Sequence, residues 1–387
     1  MMTERPRIQD LLNILRGREE QMLRLLKQFV LCESPSHNKP AVDRMGRIVA
    51  SEWRRRVARV NVLKQATRGN HVRAEQWLGG GQPAGQILVL GHLDTVYPLG
   101  TLGKMPFCVK GGAAWGPGTF DMKAGLVLAL AAVDALRVAG IHPGKRLVFL
   151  WTSDEEIGSD SSRAVIESEA RRSDAVLVLE PAYGPEGRLK TARKGVGGAE
   201  IIVTGRAAHA GIAPEKGVNA VHELALQIAR LMKINDPRRG VTMQATVVQG
   251  GTVSNVIPAE ARAQVDLRYQ RMAEARTIEH KLRSLRPILE GARVVVNLSP
   301  SRPPLERTAG VRALFRQAQI LMREMGLPLD EAGTGGGSDG NFTAALGIPT
   351  LDGLGAVGDG AHSPQEHVVI RALPERAALL AGLLATL

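Results

Sequence analysis

Three short apolar runs in this chain each end beside a side chain that can bind a metal. Gln86–Leu90 leads into Gly91-His92-Leu93-Asp94, Arg146–Trp151 leads toward Ser153-Asp154-Glu155-Glu156, and Ala175–Leu179 ends at Glu180-Pro181. Runs of that length and composition suit strands covered on both faces of a sheet. Between the first two lies Met122–Ala139, rich in Ala and Leu and stopped by Gly140, which predicts a helix with a C-terminal glycine. Strand–helix–strand alternation predicts an α/β domain with a mostly parallel sheet. Such sheets bind ligands beyond the carboxyl ends of their strands, which is where these acids and the histidine fall.

The middle of the chain has a different rhythm. Gly198–Val203, Val241–Val248, Ala261–Tyr269 and Arg293–Leu298 read as strands; Val218–Met232 and Met272–Leu285 read as helices. The order βαββαβ predicts a compact α+β unit. After Arg302 the α/β pattern resumes, with helices over Val311–Met325 and Asn341–Leu346 and a strand near Ile348–Leu351. We therefore expect one α/β domain, 1–194 and 306–387, interrupted by a smaller domain at 195–305. At the start, Met1–Gln9 is polar and Asp10–Leu31 carries apolar residues at helical spacing. It lacks the uninterrupted apolar core of a signal peptide, which leads us to expect a cytoplasmic protein.

Composition narrows the chemistry. The 387 residues hold two cysteines, Cys32 and Cys108, too few for a disulfide framework and unpaired for a cysteine metal site. No apolar run is long enough to span a bilayer. The net charge of +12 raises nucleic acid as a ligand, but the basic residues are spread along the chain and aromatics are only 3%. An anionic small substrate is a better use of that charge. We expect no nucleic-acid or membrane partner.

Taken singly, an Asp or Glu after a strand reads as a turn or helix-cap residue. Taken jointly, they form a pattern. Gly118-Thr-Phe-Asp121 stands before the Ala-rich helix and Gly360-Ala-His362-Ser363 follows the last strand. Two histidines and three carboxylates make two sets of three ligands only if one carboxylate is shared. Zinc takes these donors, and catalytic sites leave room for water. The adjacent Glu155 and Glu156 repel unless something positive lies near them. One could ligate while its neighbour takes a proton.

The segments His92-Leu-Asp94, Gly116-Pro-Gly-Thr-Phe-Asp-Met-Lys-Ala-Gly125, Asp154-Glu-Glu-Ile-Gly158, Leu179-Glu-Pro181, Gly205-Arg-Ala-Ala-His-Ala-Gly211, Ser254-Asn-Val-Ile-Pro258 and Thr334-Gly-Gly-Gly-Ser-Asp-Gly340 resemble, in order, the M20 family of zinc peptidases and amidohydrolases. The likeness is greatest to its glutamate carboxypeptidase branch. It implies a two-zinc hydrolase, with cobalt or manganese as possible substitutes. His92 and Glu180 would bind one metal, Glu156 and His362 the other, and Asp121 both. Asp94 would orient His92. Glu155 would be general base and then proton donor to the leaving amine. The Asp121–Met122 peptide would be cis.

The inserted domain would be a lid and dimerisation surface, with His209 stabilising the oxyanion in the partner subunit's site. Asn255, Arg268 and Arg302 are candidates for the substrate carboxylate, and Gly336 and Gly337 for close backbone approach to the substrate. Arg193-Lys194-Gly195-Val196-Gly197 is more basic than the matching stretch of the glutamate carboxypeptidases, which leaves the substrate open. The expected reaction releases a C-terminal amino acid, glutamate being one candidate, from a peptide or N-acyl compound. The rival is an N-acyl-amino-acid amidohydrolase or deacetylase, and a remoter one is a non-catalytic binding protein on the same fold.

Overall fold

The computed structural model describes residues 8–56, 58–79 and 81–387. The first seven residues of the polar start lie outside them. The chain divides into two compact units: 1–191, 307–333 and 338–387 form one; 192–306 and 334–337 form the other.

The first unit is built on a six-stranded sheet in the order Arg59–Leu63, His71–Gln76, Arg146–Thr152, Gln86–His92, Ala175–Val178, Thr350–Leu351. The last four are mutually parallel, and the first two form an antiparallel hairpin against them. Every residue of Gln86–His92 is buried. Ile87 and Val89 face one apolar cluster, whereas Leu88 and Leu90 face another with Ile166 and Phe342. The sheet is thus covered on both sides, which is why its strands read as unbroken apolar runs. Helices Ala124–Val138 and Ala372–Thr386 pack against each other in the larger cluster. Each Leu or Val fully buried there stabilises the fold by roughly 1.5–3 kcal/mol.

The expected helix over Asp10–Leu31 is two helices, Ile8–Arg16 and Glu19–Val30. Gly17 is a poor helix former, and the Arg18 N–H turns back to Leu15 O at 2.9 Å. The break lets Leu11, Leu12 and Leu15, then Met22, Leu26 and Phe29, all reach the core. The central helix begins at Ala124 rather than Met122, because Asp121 and Met122 have non-helical backbone angles; the peptide between them is cis, as expected. Its glycine stop is as expected: Gly140 has φ 64° and Ile141 N–H returns to Leu136 O.

The second unit is a four-stranded antiparallel sheet, ordered Thr242–Gly250, Glu260–Tyr269, Gly195–Thr204, Arg293–Arg302. Helices Ala220–Met232 and Met272–Arg283 pack on it. The order βαββαβ holds, with two added two-residue strands, Ala208–His209 and Val256–Ile257. No helix among the described residues is long and apolar enough to cross a membrane.

Candidate active site

The parallel register carries the ligand segments to one edge. His92 pairs with Thr152 and Leu90 with Val178. His92, the turn Ser153–Glu156 and Glu180 therefore leave the sheet together. Gly118, at φ 72°, turns the chain so that Asp121 stands before the central helix. His362 also has a left-handed backbone, φ 62°, two residues after Gly360 at 78°.

Two triads result, and they share one residue. His92, Asp121 and Glu180 offer ligand atoms within 4.8 Å of one another, as do Asp121, Glu156 and His362. His92 Nε2 lies 3.2 Å from Asp121 Oδ1 and 3.6 Å from Glu180 Oε1. His362 Nε2 lies 3.3 Å from Asp121 Oδ2 and 3.2 Å from Glu156 Oε2. Asp121 thus turns a different oxygen to each triad.

These spacings fit a metal. A tetrahedral zinc with arms of about 2.1 Å has ligand–ligand edges of about 3.4 Å. His92 Nδ1 faces the Asp94 carbonyl at 2.9 Å and so carries a proton. Its Nε2 then points at two carboxylates, which only accept, and needs a cation or a second proton there. Glu156 Oε1 is buried and has no hydrogen-bond partner. Without a metal, protons take up this charge. His362 is pushed up to about 10 by Asp121 and then Glu156. Burial pulls His92 down, but Asp121 and Asp94 outweigh it and raise it well above the usual range. Burial opposes ionisation of Asp121, yet His362 and then His92 hold its carboxyl well below normal. Glu156 moves the other way, since burial lifts it and His362 offsets only part.

Asp94 reaches more than His92. Its carboxylate is 3.4 Å from His92 Nδ1, farther than its own carbonyl. Oδ1 accepts the Glu155 N–H and Oδ2 the Glu156 N–H, both at 3.3 Å, and Ser36 Oγ donates to Oδ2 at 2.7 Å. The buried Asp94 therefore fixes the turn that carries Glu155 and Glu156. Asp339 braces the same turn, accepting from Thr152 Oγ1 at 3.0 Å and Ser159 Oγ at 2.5 Å. Neither Ser36 nor Asp339 stood out in sequence as a support, because contacts across 58 and 180–187 residues leave no local signal.

The remaining candidates belong to the second unit. His209 and Asn255 are neighbours: His209 pairs with Val256 and Ala210 N–H donates to Asn255 O. His209 Nδ1 accepts the N–H groups of Gly211 and Ile212, each at 3.1 Å, which places its proton on Nε2. Arg268 commits its fork to Asp266, with both bonds at 2.9 Å, and donates Nη1 to Gly335 O. Buried Arg193 donates to Gly336 O and Gly337 O. A Cβ at Gly337 would come 3.1 Å from Arg302 Cδ. Three arginines therefore converge on the loop Thr334–Gly337.

The chain matches the Peptidase family M20/M25/M40 over residues 88–386. It is 36% identical over 310 residues to carboxypeptidase G2 of Pseudomonas sp. (strain RS-16), covering 79% of this chain and 74% of that protein. It is 31% identical over 323 residues to succinyl-diaminopimelate desuccinylase of Dechloromonas aromatica, covering 78% and 84%. In structure it is similar to the aminopeptidase PepT of Bacillus cereus, with a TM-score of 0.78 at 21% identity over 95% of this chain and 98% of that one. The protein belongs to the M20/M25/M40 peptidase family and is a metallohydrolase of that family.

Proposed function

We propose that this protein hydrolyses an amide bond next to a free carboxylate, releasing a C-terminal amino acid from a peptide or N-acyl compound, with glutamate the first residue to test. The observation that carries the reading is the pair of triads sharing Asp121. His92 and Glu180 are assigned to one zinc, His362 and Glu156 to the other, with cobalt or manganese able to substitute. Bound there, the metals would polarise the scissile carbonyl and acidify water.

The chain's own groups do the rest. Glu155 is the general base: it is the carboxylate beside a ligand, on a turn fixed by Asp94. It takes the proton of the attacking water and returns it to the leaving nitrogen. His209, with its proton on Nε2, is a donor suited to the developing oxyanion. We assign it to act from a second subunit of a homodimer. Arg302, Arg268 and Asn255 are assigned to the substrate carboxylate, and Gly336 and Gly337 to backbone contacts with substrate. Arg268 must share its guanidinium with Asp266 to do so.

A second reading is supported by the likeness to a succinyl-diaminopimelate desuccinylase: an N-acyl-amino-acid amidohydrolase selecting the acyl group rather than the amino acid. Amino-acid release should be assayed over a panel of dipeptides and N-acyl amino acids with added zinc. Strong dependence on the released residue supports the carboxypeptidase; dependence on the acyl group alone supports the amidohydrolase. No hydrolysis of any member would sink both.

A further inference from the structure

We infer that Glu366, together with Tyr97, is a positioning residue that sets the place of Asp121 and through it both metal sites at once. The inference rests on the reading of Asp121 as the shared ligand. Glu366 is completely buried. Its Oε1 accepts the backbone N–H of Phe120 at 2.8 Å and of Asp121 itself at 2.9 Å. Its Oε2 accepts the Gly118 N–H at 3.2 Å and the Tyr97 hydroxyl at 2.5 Å. A carboxylate has about four acceptor sites, so these donors fill it. Bonds to an ionised acceptor are the strong kind.

The placement of the partners gives this carboxylate its consequence. Tyr97 lies five residues after His92, and Glu366 lies four residues after His362. The segments bearing His92, Asp121 and His362 therefore meet at one buried group. The Tyr97 hydroxyl also lies 3.0 Å from Ser363 O, on the residue after His362. Gly116 N–H donates to the Glu366 carbonyl at 3.2 Å, so the same residue holds both ends of the turn Gly116–Asp121. That turn has no regular helix or strand to fix it, and its last residue supplies an oxygen to each triad. A ligand belonging to one triad can fail alone. A support of Asp121 cannot.

The test is an equilibrium zinc competition against a fluorescent chelator. It uses metal-stripped full-length wild type, Glu366→Gln, Tyr97→Phe and Glu180→Gln, each with its metal-free thermal midpoint measured. Glu366→Gln keeps the shape but offers an NH2 group where a donor must be accepted. We expect it to weaken both zinc sites together, by about 10–100-fold. Tyr97→Phe should weaken both by about two- to tenfold, as loss of one hydrogen bond does. Glu180→Gln should weaken one site only. In the first two variants kcat should recover with added zinc at unchanged KM, which a purely structural fault would not produce. Both affinities within about twofold of wild type in Glu366→Gln, or weakening at one site alone, would overturn the inference. If Glu366→Gln does not fold, the same criterion applied to Tyr97→Phe decides. Wild type binding fewer than two zinc ions would instead overturn the shared-ligand reading, and the inference with it.

Discussion

His362 Nε2 stands 3.3 Å from Asp121 Oδ2, close enough for a proton to bridge the two when no metal is bound. His362 is pushed up to about 10 in the fold, against 6.5 for the ordinary side chain. Its stabilisation is therefore fully present below pH 6.5 and is lost as pH rises through 10. Metal binding runs the opposite way, because the ligand must lose that proton. The metal-free thermal midpoint of wild type, measured relative to His362→Gln, should fall between pH 6.5 and 10. Zinc affinity should rise from pH 6 to 8.5, with protons released on binding. A relative midpoint that climbs with pH would contradict this account of His362.

Asp94 links the two halves of the chemistry, since it touches His92 and also both N–H groups of the Glu155–Glu156 turn. Asp94→Ala should therefore reduce kcat as well as metal affinity, each by about 10–100-fold. Ser36→Ala removes only one donor to Asp94 Oδ2 and should cost less than about tenfold. Steady-state kinetics at saturating zinc separate the two effects. An Asp94→Ala enzyme fully restored by zinc would confine the residue to metal binding.

Gly125 lies under the strand end that carries Glu180. A Cβ there would meet Leu179 O at 2.5 Å and Met122 Cε at 2.7 Å. The backbone oxygen cannot move without moving Glu180. Gly125→Ala should destabilise by about 1–3 kcal/mol in urea unfolding and weaken the site containing Glu180. Unchanged stability and zinc binding would show that the helix start can shift freely.

The sheet and the clustering of the candidate ligands were legible because both depend on short stretches. An apolar strand followed by His92 or Glu180 is a local pattern, and the parallel register does the rest. The helical break at Gly17 was missed because apolar spacing runs on through Met22 and Phe29 and conceals one glycine. The hairpin Arg59–Leu63 with His71–Gln76 was missed for another reason: its first strand has no buried residue and its second mixes charges with apolar positions. Glu366 was invisible because an acid in a loop reads as solvated. Its burial depends on Gly118 and Tyr97, which approach only in the fold. Arg268 looked available to a substrate carboxylate, and only the structure shows Asp266 in its fork.

We assign Glu155 as the base beside a two-metal centre that it does not itself ligate. The deciding experiment is Glu155→Ala, measured for zinc stoichiometry and for release of glutamate from an N-acyl-glutamate. The expected result is two zinc ions per chain, as in wild type, with kcat reduced by about 10²–10⁴-fold. Hydrolysis at the wild-type rate, or loss of a zinc ion along with activity, would contradict it.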